Sequence, residues 1–299
     1  MIWDDVKALY RFIVERLDEN GYVVKRDNDW VFIDWSEIDK EGAPCAEQIL
    51  LWKTCRIMAA LSELMGEEGD YLARADALRE NILRDFWDGE RGAFIDSFTS
   101  GKRNITRHAN IFAILYDFVD EEKAARITEG VLLGKLARPI TTPYFKFFEL
   151  MALAKRGEIA AVQEFILSYW GGMVDLGATT VWEQYDPTEK GTAHYAMYGQ
   201  KYGRSLCHAW GSGPLALLGQ YVAGVRPTDV AYRTFEVAPA PGSWKKFKAV
   251  VPLKDGKVTV TFENGCVTAL ATRTGGTLRF AGKEVAMPAG EEVRIGAQG

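Results

Sequence analysis

Over the first 220 residues the apolar positions keep helical spacing. Ile2, Val6, Leu9, Tyr10, Ile13 and Leu17 recur every three or four residues and stop at Asn20-Gly21, which predicts an amphipathic helix closed by a glycine. Residues 22–33 break the period and read as extended or irregular chain. Pro44 then opens a long periodic stretch through Ala46, Ile49, Leu50, Cys55, Ile57, Leu61 and Leu64, ending at Gly66. Similar patterns cover about 70–86, 106–118, 121–134, 143–155, 158–169 and 205–221, about eight helices in all. Strand patterns do not alternate with them, so the spacing predicts antiparallel helical hairpins packed in series, not a parallel sheet wrapped by helices. The long connections 21–43, 87–105 and 171–204 hold much of the Trp, Asp and Gly content, and loops on a rigid scaffold are where sites tend to form.

The period changes at Gly224-Val225-Arg226-Pro227. Beyond it come short runs rich in β-branched and aromatic residues, at 234–237, 247–251, 257–262, 267–272, 277–280 and 291–295. Asp255-Gly256 and Asn264-Gly265 divide them as turn pairs, and Gly275-Gly276 reads as a turn, since no strand-to-helix context makes it a phosphate loop. The expected organisation is a helical domain over 1–224 and a small antiparallel β domain over 225–299.

Composition narrows the function. Apolar residues make up 47% and charged residues 26%, which removes disordered and fibrous classes. The 36 basic and 41 acidic side chains leave a net charge of -5 with no basic run, which argues against a nucleic-acid partner. Long uncharged apolar windows are missing, so no membrane span is expected. Cys45, Cys55, Cys207 and Cys266 lack metal or redox spacing and read as free, mostly buried thiols of a reducing, cytoplasmic compartment. The 9 Trp, 12 Tyr and 15 Phe suit either a sugar-binding cleft or simply a helix-rich core.

Two segments concentrate chemistry. Gly177-Ala178-Thr179-Thr180-Val181-Trp182-Glu183-Gln184-Tyr185-Asp186 sets a carboxylate between rings, where it could take a proton from an attacking water. The competing reading makes Glu183 a surface carboxylate at a helix start beside two core aromatics. In Asp29-Trp30-Val31-Phe32-Ile33-Asp34-Trp35-Ser36, Asp34 could hold a sugar hydroxyl while Trp35 offers a flat apolar face; equally, Asp34 and Ser36 could be turn groups and the tryptophans core anchors. His208, at the expected start of the last helix, could donate to a substrate or orient a carboxylate, although a satisfied structural histidine is the default reading for it as for His108 and His194. Paired metal-ligand spacing and a serine-nucleophile motif are both missing.

Four segments in order, DWVFIDWSEIDKEGAPCAEQ, TPYFKFFELMALAKRG, GATTVWEQYDP and SLCHAWGSGPLALLGQYVAGVRPT, closely resemble the C-terminal half of bacterial α-L-rhamnosidases. The resemblance implies an inverting glycoside hydrolase with an (α/α)6 toroid of six helical hairpins followed by a β-sandwich. It implies that Glu183 is the general base, that His208 borders the catalytic subsite, that Trp35 is an aromatic wall of the sugar pocket with Asp34 in the same motif, and that Trp182 is a pocket or support residue. It implies no metal or organic cofactor. The family's general acid lies in an acidic, arginine-rich segment upstream of the first helix here, and about twelve helices complete such a toroid. The chain is therefore expected to be an incomplete toroid, open at its N-terminal edge, that self-associates or takes a partner there. Gln184-Tyr185 stands where an arginine-tryptophan pair is common, which bears on the sugar. Two alternatives stay open: a carbohydrate-binding or structural remnant, and a toroid hydrolase or lyase of other specificity using Tyr144, Tyr185 or His108.

Overall fold

The computed structural model describes residues 2–296. Its Cα packing separates into two compact units, one running to Lys155 and the other starting at Arg156.

In the first unit, α1 (Trp3–Val14) is shorter than the expected 2–17. Helix α2 (Cys45–Met65) follows Pro44, whose extended backbone cannot carry a helix upstream, and ends at Gly66 in the left-handed conformation (φ 68°) with its N–H on the Glu63 and Ser62 carbonyls. Its buried stripe of Cys45, Ile49, Trp52, Cys55 and Met58 packs on α3 (Tyr71–Phe86), which turns Ala75, Leu78, Ile82 and Phe86 inward. A two-residue hairpin, β1 (Trp87–Asp88) with β2 (Ala93–Phe94), then forms inside the connection read as loop. Helix α4 (Arg107–Leu115) is buried along nearly its whole length, between α2 and α6 (Pro143–Lys155). Between α4 and α6 lies α5 (Glu121–Ile127), capped by the Asp120 carboxylate on Lys123 N and continued by a π-helical turn, Thr128–Leu132.

Enclosing α4 required charge inside. Arg107 donates to Glu149 and, at 2.8 Å, to the Leu132 carbonyl, while Lys146 Nζ lies 2.5 Å from Glu149 Oε2. Burial pushes the Glu149 carboxyl up, but Lys146 and Arg107 outweigh it and hold the group below the ordinary carboxylate range. Apolar side chains also face water on this unit: Ile2, Leu9 and Phe12 on α1, and Leu50, Ile57 and Leu64, each seven residues apart, on α2.

The second unit opens with α7 (Ile159–Phe165), a π-helical turn (Ile166–Trp170) and α8 (Gly171–Asp175). The predicted helix over 205–221 is shorter. Residues 205–208 are non-helical, Ala209–Gly211 is a 3-10 turn, and α9 (Gly213–Leu217) runs into a π-helical turn, Leu218–Val222. Gly211, Gly213 and Pro214 punctuate that segment, so its apolar spacing alone overstated its regularity.

From β3 (Val225–Pro227) onward the described residues form strands and their connections, with one 3-10 turn at Val230–Tyr232. One sheet pairs β10 (Glu292–Gly296), β7 (Cys266–Ala271), β6 (Gly256–Glu263) and β5 (Lys246–Leu253), in that order and antiparallel throughout. The other pairs β3, β4 (Phe235–Val237), β8 (Gly276–Phe280) and β9 (Lys283–Met287); β4 and β8 run parallel. Alternate residues of both sheets, including Val237, Leu278, Val258, Val260, Val267 and Ala269, meet in one core, which makes a β-sandwich. Asn264 (φ 52°) and Gly265 (φ 71°) form the tight turn of the β6–β7 hairpin. Gln163 of α7 ties this region to the helices of its unit, donating 2.7 Å to the Pro241 carbonyl and accepting from Ser243 N and Oγ at 2.9 Å.

The architecture is an α-helical region resembling an incomplete α/α toroid, followed by antiparallel sheets. Among the described residues no helix is long and apolar enough to cross a membrane. Cys45 and Cys55 are buried thiols, as expected, whereas Cys207, in the non-helical stretch before the 3-10 turn, is exposed and Cys266, at the start of β7, is half-buried.

Candidate active site

The Glu183 segment is held in place by backbone pairing rather than by a helix. Glu183 N donates to the Ser205 carbonyl at 2.9 Å and His208 N to the Val181 carbonyl at 2.9 Å, lacing 181–183 against 205–208. Trp210 Nε1 donates to the Glu183 carbonyl at 3.0 Å, and Trp170 Nε1 to the Gly211 carbonyl at 2.7 Å. In such extended chain neighbouring side chains point to opposite faces. Trp182 is buried against Tyr185 and Tyr195, at ring-centroid distances of 6.5 and 5.7 Å, and the neighbouring Glu183 is buried too.

Glu183 is 4% exposed, so the reading as a surface helix-start carboxylate does not hold. Tyr198 Oη donates to its Oε1 at 2.6 Å and the Ser205 N–H to its Oε2 at 3.2 Å. Both donors are neutral and act on different oxygens, which orients the carboxylate without cancelling its charge. The hydrogen bond to Glu183 pushes the Tyr198 hydroxyl up to about 12, because a phenolate beside that carboxylate is disfavoured.

The loop that carries Tyr198 is built around one buried arginine. Arg204 grips both Glu189 oxygens, at 2.8 and 3.1 Å, and also donates to the carbonyls of His194 (2.7 Å) and Ala196 (3.2 Å). His208 is half-buried, with extended backbone (φ −126°, ψ 112°) and its ring 4.5 Å from Trp210. It therefore precedes the 3-10 turn instead of starting a helix. A cavity of about 380 Å³ lies beside this segment, lined by Thr179, Thr180, Trp182, Tyr195, Tyr202 and Leu206 among others.

Asp34 and Trp35 belong to the first unit. Asp34 is 1% exposed, and its carboxylate accepts from Thr142 Oγ1 on Oδ1 (2.7 Å) and from Ser36 Oγ on Oδ2 (3.0 Å), with His108 Nε2 2.9 Å from Oδ2. His108 Nδ1 lies 3.0 Å from Thr106 Oγ1, which donates to Asp96 at 2.7 Å. Asp34 thus joins the 29–36 segment to α4 and to the start of α6. Trp35 is half-buried, 4.9 Å from the Phe32 ring and 6.5 Å from the exposed Trp30. Glu47, in the first turn of α2, helps line a cavity of about 320 Å³ with Arg16, Asp29, Trp30 and Phe32, and burial pushes its carboxyl up to about 6.

Sequence reasoning singled out Glu183, Trp182 and His208 but not Tyr198, Ser205 or Arg204, which control the carboxylate. Tyr198 sits in a turn without periodicity, so no pattern flagged it. Among the described residues no cluster of three or more His, Cys, Asp or Glu could hold a metal ion.

A family model described as the bacterial α-L-rhamnosidase six-hairpin glycosidase domain matches residues 1–222. The chain belongs to that family. Among solved structures, it is similar to the GH78 family rhamnosidase of Bacillus sp. GL1, with 30% identity and a TM-score of 0.76 over 87% of this chain and 28% of that one. The Klebsiella oxytoca rhamnosidase, solved with rhamnose bound, matches at 27% identity and a TM-score of 0.60 over 74% of this chain and 42% of that one. The Dictyoglomus thermophilum α-L-rhamnosidase, at 17% identity and a TM-score of 0.71 over 93% of this chain and 31% of that one, supports the fold. The chain thus spans between a quarter and a half of the length of these relatives. No curated protein matches it.

Proposed function

We propose that this six-hairpin family member acts on terminal α-L-rhamnosides with inversion, and that Glu183 is the base that activates the hydrolytic water. The observation that carries this reading is a buried carboxylate whose two oxygens are oriented by neutral donors, in a segment flanked by aromatic rings. In an inverting reaction the base accepts a proton from water as the water attacks the anomeric carbon from the face opposite the leaving group. A second carboxyl must protonate the departing oxygen, and the two stand about 6.5–9.5 Å apart. In this reading Trp35 and His208 are sugar-contacting residues, Asp34 serves sugar binding through its hold on the Trp35 segment, and Trp182 backs the base.

The division into a helical domain over 1–224 and a β domain over 225–299 goes with the same reading. The apolar stripes of α1 and α2 favour self-association, or a helical partner, on that face. The thiol forms of all four cysteines fit a reducing, cytoplasmic setting.

The test is sugar recognition. L-rhamnose, titrated against the parent, Trp35→Ala and His208→Ala with D-glucose as control, should quench or shift tryptophan fluorescence of the parent saturably, and each substitution should weaken binding about tenfold or more. Equal response to both sugars, or no change in the two variants, would reject the substrate class. Saturable rhamnose binding with no turnover of any rhamnoside would favour a carbohydrate-binding role instead.

A further inference from the structure

We propose that Tyr198 is a positioning residue for Glu183: its phenolic O–H on Oε1, with the Ser205 N–H on Oε2, fixes the orientation in which the carboxylate takes up a proton. The inference rests on Glu183 being the base of the reaction proposed above.

Three features carry it. First, Tyr198 is 61% exposed, so it is not placed there to fill a core, yet its oxygen reaches a glutamate that is 4% exposed. Second, the backbone is shaped to deliver it. Tyr198 (φ 53°) and Gly199 (φ 73°) are successive left-handed residues of a tight turn closed by Met197 N to the Gln200 carbonyl (3.0 Å) and Gln200 N to the Met197 carbonyl (2.9 Å). The first of those positions favours Asn, Asp or Gly, and a tyrosine there is uncommon. Third, the turn is anchored at its base, since Arg204 binds the carbonyls of His194 and Ala196 while its chain neighbour Ser205 supplies the second donor. One arginine thereby sets both donors relative to each other.

The choice of donor suits a base. A glutamate side chain has three rotatable bonds, and leaving it free would cost orientation at the moment of attack. An arginine or lysine would hold it equally well, but a cation makes a carboxylate a poorer proton acceptor. The phenol orients it and stays neutral, since its own ionisation is displaced up to about 12.

The experiment uses the parent chain, Tyr198→Phe, Glu183→Gln and the double variant, with circular dichroism confirming the fold of each. In one arm, tyrosinate absorbance at about pH 11 is compared within each Glu183 background. Subtracting the spectrum of the matching Tyr198→Phe variant should show Tyr198 roughly one-tenth ionised in the parent and several-fold more ionised in Glu183→Gln, where the carboxylate no longer opposes the phenolate although burial still does. Equal ionisation in both backgrounds would overturn the contact. In the other arm, at neutral pH, hydrolysis of a dinitrophenyl α-L-rhamnoside is followed. Tyr198→Phe should lower kcat about 10- to 100-fold with KM little changed, and should have no further effect in the Glu183→Gln background. A change in KM alone, or an equal loss in both backgrounds, would overturn the proposal. Full activity in Glu183→Gln would instead reject Glu183 as the base, whereas loss in Glu183→Gln with full activity in Tyr198→Phe would reject only the role of Tyr198. The first arm needs no turnover and the second no alkaline pH, so each is decisive by itself.

Discussion

The two units each bury carboxylates, and they do so differently. In the first, Glu149 is saturated by Arg107 and Lys146, and Asp34 is held by Thr142, Ser36 and His108, all five of these partners being from α4, α6, the residue before α6 or the 29–36 segment itself. In the second, Glu183 has one backbone N–H and one phenol, and that phenol belongs to a largely exposed residue. Saturated groups fasten elements together, and a group left with acceptor capacity beside an exposed partner can meet a substrate. Removing a partner should therefore cost stability in the first unit and activity in the second.

The largest stability effect is expected at Glu149. Glu149→Gln leaves two buried cations without their counter-charge and should lower unfolding stability by about 3–5 kcal/mol in urea titrations. Because the folded carboxyl is held below its ordinary value, this contribution is present above the unfolded pKa and fades as pH falls through the lower folded value, so the parent and variant should converge in acid. Glu183→Gln, by contrast, should cost less, about 1–2 kcal/mol, since one of its two neutral donors keeps an amide-oxygen acceptor and no buried cation loses its counter-charge. An equal loss at the two sites would remove the distinction.

Asp34→Ala sharpens the comparison from the side of the first unit. It strands Thr142 Oγ1 and His108 Nε2 as buried polar atoms without their carboxylate partner, and thermal unfolding should report a loss of about 2–4 kcal/mol. Loss of rhamnose affinity with unchanged stability would move Asp34 to the substrate-contacting group.

Glu47 gives a small effect of the opposite sign. Its carboxyl is raised to about 6 by burial, so the proton is favoured in the folded state; the stabilisation is full below the unfolded value and is lost as pH rises through about 6. Glu47→Gln should accordingly stabilise the protein by about 1–2 kcal/mol near pH 8 and by little near pH 4. Equal stabilisation at both pH values would mean that desolvation of the carboxylate is not the cause.

What was legible in the sequence follows from how each feature is encoded. Helices such as α2 and α3 are written as long apolar stripes with Pro44 and Gly66 as punctuation, and their ends lie within a residue or two of the reading. The hairpin at Asn264-Gly265 is spelled by the two residues that tolerate its backbone. The β8–β9 turn uses Ala281 (φ 50°) before Gly282 (φ 74°), a pair that does not announce a turn, and β9 presents mostly exposed residues, so that strand was not foreseen. Strand β3 is three residues long and ends in Pro227, which reads as a linker. At the site, Glu183 stood out through its aromatic neighbours. Its controls did not, because Tyr198 and Arg204 act through a loop whose course depends on bonds to single carbonyls, and no periodicity records those. The contact of His108 with Asp34, 74 positions away, is likewise a tertiary fact that no local pattern records.

The most direct test of the central claim is the hydrolysis of a dinitrophenyl α-L-rhamnoside, whose leaving group needs little protonation, by the chain and by Glu183→Gln, with the first-formed sugar followed by proton NMR. The account predicts slow turnover that yields β-L-rhamnose first and falls about 10²- to 10⁴-fold in Glu183→Gln. Parental rates in the variant, or α-L-rhamnose as the first product, would contradict it.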